Sequence, residues 1–270
     1  MKNLLKIFFR FYIEASIHVS LAVCALVYIF LLQHKLPTDL YLLSTVFFGT
    51  ITGYNFVKYA PVAKLYHRSL ARSLKVIQIF SFLSFLALIY FTPHLPLKTL
   101  FAIISGGILT FLYAIPVFYK KNIRSISGLK IFVVALSWSI ISVALPAIHY
   151  SLPIDINLGL NFLQVFVFII ALIIPFDIRD IYYDGKELKT LPQVVGIEKS
   201  KILALLLIIV FFILELIQKK LVIIEATSFV VLLTGMLIWK TSSKNPWYYC
   251  SFIIESVPII YGLVLLLFTA

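Results

Sequence analysis

The chain has 270 residues, 62% of them hydrophobic and only 13% charged, with a mean hydropathy of +1.06 and a formal net charge of +12. Apolar surface on that scale exceeds what a water-soluble core can hide, so a soluble globular domain is excluded and lipid is the expected solvent. Unpaired backbone groups are too costly in hydrocarbon for anything but helices or closed barrels, and apolar runs near twenty residues mean helices.

In chain order, apolar runs fall near residues 15–32, 40–57, 76–92, 99–118, 131–150, 158–176, 202–218, 221–239 and 247–268. The expectation is one all-α integral membrane domain over residues 1–270 with about nine transmembrane helices. The first run lacks a small-residue cleavage site, so its helix is expected to be retained. Cys24 and Cys250 lie inside apolar runs without metal-ligand spacing and read as packing residues.

Lys2, Lys6 and Arg10 precede the first run, and basic residues gather again at 58–75, 120–130, 179–201 and 240–244. All these positions share one side if the N-terminus is cytoplasmic and the C-terminus opposite. This is the positive-inside bias of a cell (inner) membrane protein, and it accounts for the net charge without a nucleic-acid partner. Glu14 and His18, four residues apart, are expected to pair, Glu255 lies inside the last run, and Glu215 and Glu225 flank an outer turn that water reaches.

The sixth run ends in Pro175-Phe-Asp-Ile-Arg-Asp-Ile-Tyr-Tyr-Asp184-Gly-Lys-Glu-Leu-Lys-Thr-Leu-Pro192. If the helix continues, Asp177, Asp180 and Asp184 stand at i, i+3 and i+7 on one face. Three carboxylates there repel unless a cation neutralises them, and Mg²⁺ suits a few carboxylates plus phosphate and water. Lys186 and Lys189 follow as phosphate-binding candidates; the alternative is a solvated acidic turn balanced by Arg179 and those lysines.

This stretch resembles the second signature of the UbiA superfamily of intramembrane prenyltransferases, through Asp180, Asp184, Gly185, Lys189, Thr190, Leu191, Pro192 and Gly196. Leu112 to Lys121, with Gly128 and Lys130 after it, is similar to the segment leaving that superfamily's fourth helix, and it places Tyr113 and Lys120 near substrate. The resemblance implies a UbiA-like bundle around a central cavity, in which an isoprenyl diphosphate ionises and its prenyl group alkylates a lipophilic acceptor in the membrane. It further implies Mg²⁺ on Asp177, Asp180 and Asp184, which are also the expected catalytic residues. Basic side chains and the aromatics Tyr54, Tyr59, Tyr113 and Trp138 would shield the developing charges.

The resemblance breaks after the second run. Aligning the first signature's asparagine on Asn55 puts Phe56, Tyr59 and Ala63 where aspartates belong, and no acidic residue occurs between Asp39 and Asp155. Asn55 and Lys58 are therefore the expected substrate contacts on that side, Lys58 as a fixed cation in place of metal. Two other readings stay open: a non-catalytic binder of an isoprenoid or lipid phosphate, and a small-molecule transporter.

Overall fold

The computed structural model describes residues 2–65, 72–114, 128–185, 188–218 and 223–269, and among these there is helix and loop but no strand. The helices are α1 (Lys2–Glu14), α2 (Ile17–Gln33), α3 (Leu40–Leu65), α4 (Arg72–Phe91), α5 (Leu97–Ala114), α6 (Lys130–His149), α7 (Ile156–Arg179), the short α8 (Leu191–Val195), α9 (Ile197–Ile217), α10 (Ile224–Trp239) and α11 (Tyr249–Phe268).

Every expected run coincides with a helix, yet the expected number of spans is not reproduced. Among the described residues six helices are long and apolar enough to cross a membrane, seven if the bent pair α1–α2 is one span. Of the other apolar helices, α10 (Ile224–Trp239) is shorter, and α5 is apolar over the stretch Leu97–Ile108. The bilayer core is ~30 Å thick and a helix rises ~1.5 Å per residue, so a sixteen-residue helix such as α10 falls short of it unless its flanks snorkel or the bilayer thins.

The central post is α2, which packs against α3, α11 and the middle of α6. It has no polar face, and its buried side chains, among them Val23, Leu26, Val27 and Phe30, point in several directions. One wall runs α6–α7–α9–α10–α11, and the other is formed by α3, α4 and α5. By contrast α4 turns Ile79, Phe82 and Leu83 outward, all more than half exposed, as expected of a lipid-facing helix.

Two π-helical turns interrupt the bundle, Ile140–Ala144 in α6 and Tyr249–Ile254 in α11. Each precedes a proline, Pro146 or Pro258, whose missing N–H leaves the carbonyl four residues back without its usual donor. In α11 the Glu255 N–H instead donates to the carbonyl of Cys250 at 3.1 Å, a wider turn.

The N-terminus holds two departures from expectation. α1 and α2 meet at 53°, with Ser16 in the left-handed region at φ 62°. Glu14 pairs not with His18 but with Arg10, at 2.6 Å, because the break carries it out of helical register. His18 is buried and bonds Tyr12 at 2.8 Å and the Phe252 carbonyl at 3.0 Å. A third correction concerns Glu215, expected to meet water. It is 1% exposed and bonded to Gln164, which also accepts from Gln218 at 3.1 Å. Inside a membrane an ionisable side chain facing a polar partner costs far less than one facing lipid.

Candidate active site

Helices α3, α4, α5 and α6 line a cavity of about 410 Å³. Its wall is apolar, with Gly53, Phe56, Gly106, Gly107, Ser137 and Ile141 among the lining residues. The π turn of α6 contributes Ile140, Ile141 and Ala144 to it, which is how a one-residue insertion re-aims a helix face. A Cβ built on Gly106 or Gly107 meets nothing within 4 Å, so these glycines leave room rather than allow a close helix contact.

A charged cluster lies where α6 begins. Lys130 is its first residue, and Ser137, seven residues on, lines the cavity; at ~1.5 Å per residue the two are roughly 10 Å apart along the axis. The Lys130 Nζ donates to Asp177 Oδ1 at 3.2 Å and to Asp184 Oδ2 at 3.5 Å. Asp177 is fully buried, and its Oδ2 has no hydrogen-bond partner among the described residues.

The three carboxylates do not share a helix face, which corrects the expectation of a three-aspartate metal set. α7 stops at Arg179, and Asp180 caps it with φ −90° and ψ 6°. One further turn follows, the Asp184 N–H donating to the Asp180 carbonyl at 2.8 Å, and it brings Asp184 to Lys130. Asp180 is held in a two-pronged pair by Arg179, at 2.7 Å on both oxygens. Arg179 also donates to Ser251 Oγ at 2.9 Å, and Asp180 lies within electrostatic reach of Cys250 on α11 and of Lys130.

The loop after Asp184 is fixed from two sides. Gln193 donates to the Asp184 carbonyl at 3.0 Å and accepts from the Thr190 N–H at 3.0 Å, closing the turn at the start of α8. The Gly128 N–H donates to the Leu188 carbonyl at 3.1 Å. The two segments that carry the family resemblance, some sixty residues apart in the chain, are therefore joined beside Lys130. Lys189 lies on this loop, exposed, with φ 44°.

Among the described residues no three His, Cys, Asp or Glu side chains form a group that could hold a metal ion. Asp177 and Asp184 do fit a cation that takes one or two carboxylates and completes its shell with phosphate and water, since one buried oxygen of Asp177 is unused. Asp180, committed to Arg179, does not join them.

Other expected residues fall elsewhere. Asn55 is 2% exposed and wholly engaged: it accepts from Ser16 Oγ at 2.8 Å and donates to the Ala15 carbonyl at 3.1 Å and to Ser81 Oγ at 2.8 Å. Through these bonds it pins the α1–α2 break. Of the positions where the first signature would carry aspartates, Phe56 lines the apolar cavity and Tyr59 donates to the Glu14 carbonyl at 2.9 Å. Lys58 donates to the same carbonyl at 3.2 Å and lies within electrostatic reach of Glu255 and Arg179, apart from the Lys130 cluster. Trp138 donates to the Tyr54 hydroxyl at 2.6 Å. The backbone of Tyr113 is helical, one turn beyond the cavity-lining Thr110, while Lys120 and Lys186 lie outside the described residues. Lys130 was legible as a topological charge and as a member of the segment resembling the one that leaves the fourth helix, and an ionisable residue opening an otherwise uncharged apolar helix is itself a signal.

Two solved structures have a similar fold over nearly their whole length. A UbiA homolog from Aeropyrum pernix K1 aligns with 94% of this chain and 99% of its own at 13% identity and a TM-score of 0.69. The structure of a digeranylgeranylglyceryl phosphate synthase in membranes aligns over 97% of both chains at 16% identity and a TM-score of 0.57. The chain has the UbiA-type fold. No family model and no curated protein matches the sequence. This chain places Asp177 and Asp184 beside the start of α6, while α3 carries no acidic residue and lines the apolar cavity.

Proposed function

We propose that the protein binds an isoprenyl diphosphate, with the chain in the glycine-floored cavity and the diphosphate at Lys130, Asp177 and Asp184, and transfers the prenyl group to a membrane-soluble acceptor. The observation that carries this reading is the placement of both halves of such a ligand's environment on one helix. α6 begins at the charged cluster and lines the apolar cavity about two turns later.

In the transfer, the bond between the allylic carbon and the diphosphate oxygen breaks with both electrons leaving on the diphosphate. The acceptor forms the new bond to that carbon and loses one proton. Lys130 offsets charge on the departing group, and the apolar wall keeps water from the electron-poor carbon. A bound Mg²⁺ would add further offset on the diphosphate. The basic loops and the N-terminus face the cytoplasm in this reading.

The test is pyrophosphate release by protein in nanodiscs, given geranyl, farnesyl and geranylgeranyl diphosphates, a lipid extract as acceptor source, and Mg²⁺ present or chelated. Release that needs both Mg²⁺ and extract is the expected result, and inverted cell vesicles should turn over added diphosphate where right-side-out vesicles do not. Binding of the diphosphates with no release under any condition favours a non-catalytic isoprenoid binder instead. Phe56 in a position where the first signature carries an acid is the observation that keeps this second reading in play.

The cavity makes its own prediction. Gly107→Leu projects a side chain into open space, so thermal unfolding should be unchanged or slightly later, because leucine favours the helix over glycine by up to about 1 kcal/mol. The longest isoprenoid diphosphate bound should become shorter, measured by competition across the panel. Equal affinity for all lengths in both proteins would place the chain elsewhere.

A further inference from the structure

Lys130 holds two carboxylates with one ammonium, at 3.2 and 3.5 Å, while Arg179 grips Asp180 at 2.7 Å through both oxygens. Charge-assisted N–H to O contacts normally close to ~2.7–2.9 Å, so Lys130 is shared between its partners and tightly bound to neither. Its side chain is 27% exposed and stands on a flexible four-carbon stem, so it can move without unpacking α6. Asp177 keeps one buried oxygen without a donor among the described residues, an arrangement that costs free energy as long as nothing else approaches.

A divalent cation and this ammonium compete for the same two carboxylates. With Lys130 in place, adding the cation leaves a net positive charge in a half-buried site. A diphosphate removes the conflict, since it offers the ammonium a stronger partner and lends the cation the oxygens that two carboxylates cannot supply.

We infer, building on the diphosphate-binding reading above, that Lys130 is a counter-ion gate: it keeps Asp177 and Asp184 closed to divalent cations until a diphosphate draws its ammonium away, so that cation and diphosphate bind as a pair. Such coupling is reciprocal. Diphosphate raises the affinity for the cation by the same factor that the cation raises it for diphosphate.

Mn²⁺ binding to the purified protein, read by its electron paramagnetic resonance signal with and without inorganic pyrophosphate, tests the gate with no prenyl transfer involved. The contribution of free Mn²⁺–pyrophosphate is taken from a protein-free control. Wild type should bind Mn²⁺ weakly alone and about tenfold or more tightly with pyrophosphate. Lys130→Met should bind Mn²⁺ without pyrophosphate and lose most of the coupling, and Asp184→Asn added to it should abolish that gain. Lys130→Arg, which keeps the charge, should stay closed to Mn²⁺ alone. Equal Mn²⁺ affinity of wild type with and without pyrophosphate overturns the gate, as does no gain in a folded Lys130→Met. If Lys130→Met does not fold, the wild-type comparison decides alone. Failure of the gate with pyrophosphate release intact leaves the transferase reading standing; absence of release with the coupling intact removes that reading and keeps the gate.

Discussion

Asp177→Asn and Asp184→Asn should each lower pyrophosphate release by about 10²–10³-fold, the range seen when one electrostatic contact to a developing charge is removed, whereas Asp180→Asn should lower it by much less. The asymmetry follows from partners rather than from sequence order. Asp177 and Asp184 bond Lys130 at the head of α6, while Asp180 is bound on both oxygens by Arg179. Asparagine keeps the size of aspartate and removes its charge, so a fold effect is smallest at the partly exposed Asp184 and largest at the fully buried Asp177. The thermal unfolding midpoint of each variant therefore accompanies its rate. A uniform loss across all three would restore the single acidic face that the sequence spacing suggests; a selective loss at Asp180 would mean that Arg179 presents it to substrate.

That contrast shows what could be read in the sequence. The helices were legible because an apolar run of about twenty residues has one low-cost solution in lipid. The end of α7 was not, since Asp177, Asp180 and Asp184 fit helical spacing equally well whether or not the helix continues, and only the capping geometry at Asp180 shows that it stops. Lys130 was quoted for its place in a motif, yet its partners lie 47 and 54 residues away, and long-range pairing leaves no local pattern. Glu215 was misread for a similar reason: its neighbours Lys219 and Lys220 suggest water, while the side chain turns inward to Gln164. The unusual α3 was legible in part. The missing acids were plain, but that Phe56 would line a cavity and Asn55 would secure a helix break could not be foreseen.

Asn55→Ala is the substitution that separates a structural asparagine from a substrate-binding one. It removes three hydrogen bonds among α1, α2, α3 and α4 and leaves the Ala15 carbonyl with a lost partner beside Ser16, whose left-handed backbone at φ 62° is already unfavourable for a residue with a Cβ. Hydrogen bonds between membrane helices average well under 1 kcal/mol each, and a buried polar group left without a partner adds to that, so a loss of about 2 kcal/mol is expected. It should appear as a lower midpoint of thermal unfolding in detergent. Diphosphate affinity, measured below that midpoint, should be unchanged, because Asn55 has no hydrogen-bonding capacity facing the cavity. An unchanged midpoint with weakened diphosphate binding would return Asn55 to the substrate side, and with it the idea that α3 still takes part in binding the diphosphate after losing its acids.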